Sequence, residues 1–176
     1  MDAYINLAKS ALEQYVKNRK ILNPPANLES QMLKRKAGVF VTIFNKHLSG
    51  EQLRGCIGTF LSTQENIAKE IIENAIAAGT RDYRFAPIRK QELSQLSYEV
   101  SILSEPVLVQ NPETELDPKK FGLIVRTNNG RSGLLLPDIE GVNMVKEQFS
   151  ICCRKGGIKP NSDSFTLYKF SVEKHS

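Results

Sequence analysis

An arginine, a cysteine and two glycines stand in "QLRGCIGTF", Gln52–Phe60, where the surrounding pattern calls for an ordinary strand. In an extended segment Arg54, Cys56 and Gly58 share one face, and Leu53, Gly55, Ile57 and Thr59 share the other. A guanidinium two residues from a thiol, on the same side, favours the thiolate, the form in which cysteine is a nucleophile or redox centre. Gly58 would leave that face open beyond the sulfur, and Gly55 would let another element approach from behind. The plainer alternative is a small buried cysteine, with glycines marking a bulge or a close helix contact. No histidine stands beside Cys56 to supply a base.

A second group of chemistry-bearing residues lies in "RDYRF", Arg81–Phe85. Arg81, Asp82 and Arg84 around an aromatic suit an anion-binding loop with a carboxylate, or a salt-bridged loop whose Phe85 plugs the core. Glu99, in "LSYEVSIL", falls opposite the apolar face made by Leu96, Tyr98, Val100 and Ile102. There it can pair with an arginine, act as a base, or simply face solvent. Arg154 and Lys155 in "CCRKGG" suit the C-terminal end of a helix better than they suit catalysis.

Several elements must position these groups. Asp2 caps a first helix, and Tyr4, Leu7, Ala8, Ala11, Leu12 and Tyr15 give it one apolar face to about residue 19. Asn23–Pro25 then opens a loop. "GVFVTIF", Gly38–Phe44, reads as a strand, "NKHLSGE" as a turn, and "QLRGCIGTF" as the antiparallel partner. Ser62 and Glu65 match a capping box ahead of a helix carrying Ile67, Ile71, Ile72, Ala75 and Ile76, with Gly79 placed to end it. A short helix is expected near Lys90–Leu93, and another from Asp117-Pro118. "FGLIVRTNNGRSGLLLP" is a hairpin turning at Asn129-Gly130. A helix over Glu140–Lys155 and a last strand, "SFTLYKFSV", complete the chain. Strands and helices mix without a βαβ rhythm, so the expected class is α+β: mixed, mainly antiparallel sheets with flanking helices.

The bulk numbers fit one domain, or one domain with two lobes, over 176 residues, and 40% apolar residues provide for a packed core. The N-terminal stretch lacks the layout of a secretory signal, and no apolar run approaches the ~18 residues that span a bilayer. A soluble cytoplasmic protein is therefore expected. Three cysteines, two of them the adjacent Cys152 and Cys153, point to reduced thiols in a reducing compartment. Two histidines, His47 in the expected turn and His175 at the tail, do not make a metal site, and no metal is assigned. The net charge of +5 is spread over "KNRK", "KRK", "RDYR" and "RK", as on a solvated surface or one that steers anions.

"LRGCIGTF", "RDYRFAPI" followed by "EL", "YEVSILSEP", "GLIV…GRSGLLLPDI" and "CCRKGGI" occur in an order that resembles the AMMECR domain family, whose prokaryotic members are often labelled AmmeMemoRadiSam system protein A. The resemblance covers nearly the whole chain and implies a single AMMECR-type domain, residues 1–176, with two lobes of intermixed sheets. Carried over by motif, it marks Leu53, Arg54, Gly55, Cys56, Ile57 and Gly58, then Asp82, Arg84, Phe85, Pro87, Glu99 and Ser101. The stretch after "LLP" usually carries a tryptophan in that family; here Asn143 and Met144 stand in that neighbourhood. Members occur beside or fused to Memo-like proteins and near radical SAM proteins, so those are the implied partners.

Three functional expectations follow. The first is an enzyme or enzyme component acting on a small or nucleic-acid-linked substrate, as a monomer or dimer. In it Cys56 is the nucleophile or redox thiol, Arg54 its activator and anion clamp, and Glu99 or Asp82 a proton carrier; Arg84, Gly55, Gly58 and Ser101 line the ligand site. No cofactor is specified. The second is an RNA-binding module that stacks bases on Tyr83 and Phe85. The third is an accessory subunit docking on a Memo-like or radical SAM partner.

Overall fold

The computed structural model describes residues 2–47 and 50–176. In chain order the elements begin with α1 (Ala3–Asn18), α2 (Ser30–Lys34), β1 (Val39–His47), β2 (Gly50–Thr59) and α3 (Ile67–Thr80). A 3-10 helix (Lys90–Gln95), β3 (Leu96–Leu103), β4 (Val107–Leu108), α4 (Pro112–Glu115) and β5 (Gly122–Thr127) follow. β6 (Ser132–Leu135), α5 (Val145–Gly156), β7 (Phe165–Phe170) and β8 (Val172–His175) complete the order. Two four-stranded sheets result, ordered β2-β1-β3-β8 and β4-β7-β5-β6. With the flanking helices they make an α+β fold in two compact units, one of residues up to Ile102 with Glu173–Ser176, the other Leu103–Val172.

In the first unit the Asp2 carboxylate accepts from the Tyr4 and Ile5 amides at 2.8 and 3.2 Å, and so starts α1 as expected. Tyr4, Leu7, Ala8, Ala11 and Leu12 are buried on one stripe, beside Ile71, Ala75 and Ile76 of α3. Val39, Val41 and Ile43 of β1 join Tyr98, Val100 and Ile102 of β3 in the same core. The period of two that buries these residues turns Phe40, Thr42, Phe44, Ser97, Glu99 and Ser101 to the opposite face of the sheet.

Several expectations in this unit are revised. Asn45–His47 continue β1, and Gly50 and Glu51 open β2, so the hairpin is longer than expected; Leu48 and Ser49 of the expected turn lie outside the described residues. The Ser62/Glu65 capping box is not used. α3 starts at Ile67 with Asn66 as its cap, because Ser62 instead turns its hydroxyl to Gln64 O and Glu70. Gly79 does not end α3. A Cβ there would sit 2.4 Å from Leu12 Cδ1, so its role is to let α1 and α3 touch. α2 falls within a segment read as loop.

In the second unit β5 and β6 form the expected hairpin. Thr127 N donates to Arg131 O and Gly130 has φ 88°, so the loop is Asn128-Asn129-Gly130, with glycine in the left-handed position. α5 begins at Val145 rather than Glu140, where the Glu147 carboxylate takes the Asn143 and Met144 amides and fixes the first turn. Asp117-Pro118 makes a turn, its carboxylate accepting from Lys119 N at 2.9 Å, and the short helix lies earlier as α4. The last apolar run divides into β7 and β8, and β8 returns to the first sheet beside β3. Leu123, Val125, Leu135, Val142, Cys152 and Cys153 form this unit's core.

Candidate functional site

β1 and its neighbours bring three of the sequence candidates into a cluster. Thr42 is paired with Cys56 on β2 and with Glu99 on β3, so the three stand in one cross-strand row on the face away from the core. The next row is Gly58–Phe40–Ser101, and the row on the other side is Leu53–Phe44–Ser97. The Thr42 hydroxyl and the Cys56 thiol are 3.3 Å apart. At the far end of the row Lys174 of β8 forms an ion pair with Glu99 at 3.2 Å.

The ladder shifts register between Ile43 and Phe44, where Gly55 and Leu53 are the partners and Arg54 is skipped. This bulge breaks the alternation assumed from sequence. Leu53, paired with Phe44, joins the face of Cys56. Arg54 is directed to the 3-10 helix, where its Nε and one terminal nitrogen donate to Glu92 at 2.8 and 3.3 Å. The guanidinium whose field favours the Cys56 thiolate is that of Arg84.

Arg84 reaches this position through Asp82. The Asp82 side chain is 2% exposed and accepts from Cys56 N at 2.9 Å, while Arg84 donates to it from Nε at 3.0 Å and from a terminal nitrogen at 2.7 Å. The same guanidinium reaches Cys56 O at 3.4 Å. β2 is the edge of its sheet, so Asp82 and Arg84 together satisfy the outward amide and carbonyl of Cys56 as a neighbouring strand would. The hydrogen bonds from Arg84 and from the Cys56 amide hold the Asp82 pKa down at about 2. A carboxylate that stays ionised throughout the neutral range is a structural anchor and a poor proton carrier.

Burial pushes the Cys56 thiol pKa up, against smaller opposing effects of the Thr42 hydroxyl and Arg84; Asp82 and Glu99 reinforce the rise. The resting side chain is therefore a neutral thiol, half-buried and hydrogen-bonded. Gly58 does not open the face beyond the sulfur, since a Cβ there would lie 2.3 Å from Phe40 Cγ and the ring fills that space. Gly55 behaves as expected: a Cβ there would lie 2.1 Å from Ala78 O of α3, so only glycine leaves room for the helix. Ser101 is buried, Phe85 half-buried, and Tyr83 is 95% exposed at the tip of the loop. Among the described residues no cluster of His, Cys, Asp or Glu could hold a metal ion.

Two structurally decisive carboxylates, Glu70 and Glu92, were given no role from the sequence. Glu70 is 0% exposed and accepts from the hydroxyls of Thr59 and Thr63 and from the amides of Thr63 and Gln64, each at 2.8 Å. Burial raises its pKa, but these donors together outweigh that effect and leave it lowered. It ties the end of β2 to α3. Its signal was a glutamate at core spacing between Ile67 and Ile71. Glu92, which orients Arg54, entered the sequence reading only as the glutamate of the "EL" that follows "RDYRFAPI", with no role attached to it.

Known proteins share this arrangement of elements. The crystal structure of an uncharacterized protein from Pyrococcus horikoshii superposes with a TM-score of 0.84 at 32% identity, covering 97% of this chain and 88% of that one. A Thermotoga maritima protein is 45% identical over 172 residues, which is 98% of this chain and 96% of its own length. A Clostridium acetobutylicum protein is 42% identical over 175 residues, and there the chain covers only 36% of the relative's length. The AMMECR1 family model matches residues 5–175, from α1 through the terminal strand. With its motifs, its two sheets and its relatives in agreement over that span, this chain belongs to the AMMECR1 family.

Proposed function

We propose that this protein is a cytoplasmic accessory component of a larger enzyme system, which uses the sheet face around Cys56 to recognise a partner or the ligand that a partner processes. The observation that carries this reading is the state of the thiol. Cys56 is held neutral, Arg54 is committed to Glu92, and Asp82 is locked as an anion in the edge of the strand. A nucleophile, its activator and its proton carrier are thus not assembled. What the face does offer is recognition chemistry: Phe40 and Phe44 as apolar surface, and Thr42, Cys56, Ser97 and Glu99 as hydrogen-bonding groups. The Clostridium acetobutylicum relative, most of which lies outside the matched region, supports a domain that works alongside others.

A Memo-like or radical SAM protein is the partner class to test. With such a partner purified, Glu99→Gln and Phe44→Ala should each weaken association at least tenfold in a calorimetric titration. Cys56→Ser, which keeps size and hydrogen bonding, should leave both association and the activity of the assembled complex nearly intact. A Cys56→Ser complex that forms normally yet is inactive would return the cysteine to catalysis.

A further inference from the structure

The bulge at Arg54 has a destination. Bulges re-aim a side chain out of the strand alternation, and this one directs Arg54 away from the Cys56 row toward a hollow of about 460 Å³ lined by Arg54, Ala86, Pro87, Arg89, Gln91 and Glu92. Glu92 holds the Arg54 guanidinium through Nε and one terminal nitrogen and also accepts from Arg89 N at 2.7 Å. Of the five N–H donors of a guanidinium, that grip occupies two. No described residue takes the other terminal nitrogen, whose two hydrogens remain available on a side chain only 15% exposed and therefore fixed in place. Arg89, on the same wall, forms no ion pair with any described residue, although its charge acts on Glu92. Two guanidiniums against one carboxylate already engaged by the first leave the hollow with a net positive charge.

We infer that this hollow is a binding site for an oxyanion group, phosphate or carboxylate, on a small molecule, received by the free edge of Arg54 and by Arg89. Arginine forks match both oxyanions in geometry, and a fork that is already immobilised loses less freedom when it binds. The hollow is separate from the Cys56 row, so this inference stands or falls without the accessory role proposed above. It assigns the bulged arginine to ligand capture instead of thiol activation.

The test uses the intact protein with inorganic phosphate and, separately, acetate, each against sodium chloride at matched ionic strength. Binding is read from the Nε–Hε resonances of Arg54 and Arg89. Saturable shifts of both resonances with either anion are expected, and Arg89→Gln should weaken the affinity at least about tenfold, the loss of a charge-assisted contact. Phosphate alone binding would identify a phosphorylated ligand, and acetate alone a carboxylate. Shifts that follow ionic strength only, or that survive Arg89→Gln undiminished, overturn the assignment. Arg89 is exposed, so this variant tests binding without testing the fold.

Discussion

Cys152 lies on α5 in the second unit, fully buried, and its thiol faces Leu123 O at 3.4 Å. Burial pushes its pKa up to about 12, and Cys153 beside it is raised for the same reason. Cys56, on β2 of the first unit, is only half-buried and is surrounded by polar groups: a threonine hydroxyl, the Asp82–Arg84 pair at its backbone, and Glu99 beyond Thr42. One unit treats cysteine as a small apolar filler under a close helix contact. The other builds a wired polar strand around it, yet still keeps it neutral. The difference teaches that polar surroundings alone do not activate a thiol: desolvation wins unless a cation faces the sulfur directly.

Removing the wiring should separate the units most clearly. Glu70→Ala takes the acceptor from the part-buried hydroxyl and amide donors of Thr59, Thr63 and Gln64, and should cost about 3 kcal/mol in a denaturant melt. The Cys152 and Cys153 amides should keep their slow exchange for longer than those of β2 as denaturant rises. Loss of protection in both units together would mean that the two are one cooperative block.

The next effect is a pH dependence. Asp82 has a folded pKa of about 2 against the ordinary 3.8. Its contribution is fully present above the unfolded value and disappears as pH falls from about 4 through 2. The loss should be about 2 kcal/mol at low salt, and less as salt screens the partly exposed Arg84. Asp82→Asn should flatten that part of the stability profile. An unchanged acid limb would show that the edge cap contributes nothing.

Phe85 gives a smaller effect. The ring is half-buried, with the Arg84 guanidinium 5.4 Å from its centroid. Phe85→Ala should therefore cost about 1–2 kcal/mol, short of the 3–5 kcal/mol of a full core ring. A chemical melt showing the larger loss would place the loop in the core of the first unit.

Much of the frame was legible in the sequence because it rests on short-range patterns. The α1 stripe, the alternation in "LSYEVSIL" and the Asn129-Gly130 turn each fix a local conformation that packing then confirms. The placing of Glu99 opposite the apolar face of its strand also followed from the period of two, whereas Ser101 entered only through the family resemblance. What was not legible depended on partners distant in the chain. The bulge that turns Arg54 aside arises from how β1 and β2 align, 38 residues separate Arg54 from the Glu92 that takes it, and the shift of the α3 start depends on Glu70 claiming the Ser62–Gln64 donors. Spacing along one strand cannot reveal which charge another element will present.

The most direct measurement is the rate of alkylation of Cys56 against pH, with Cys152 and Cys153 replaced by alanine in a folded variant or followed separately by mass spectrometry. The rate is predicted to be still rising above pH 9, unaffected by Arg54→Lys and slowed further by Arg84→Gln, because the sulfur is desolvated and only the Thr42 hydroxyl and the Arg84 charge partly offset this. A rate that levels off below pH 7 and collapses in Arg54→Lys would mean a thiolate prepared for attack, and would contradict the account.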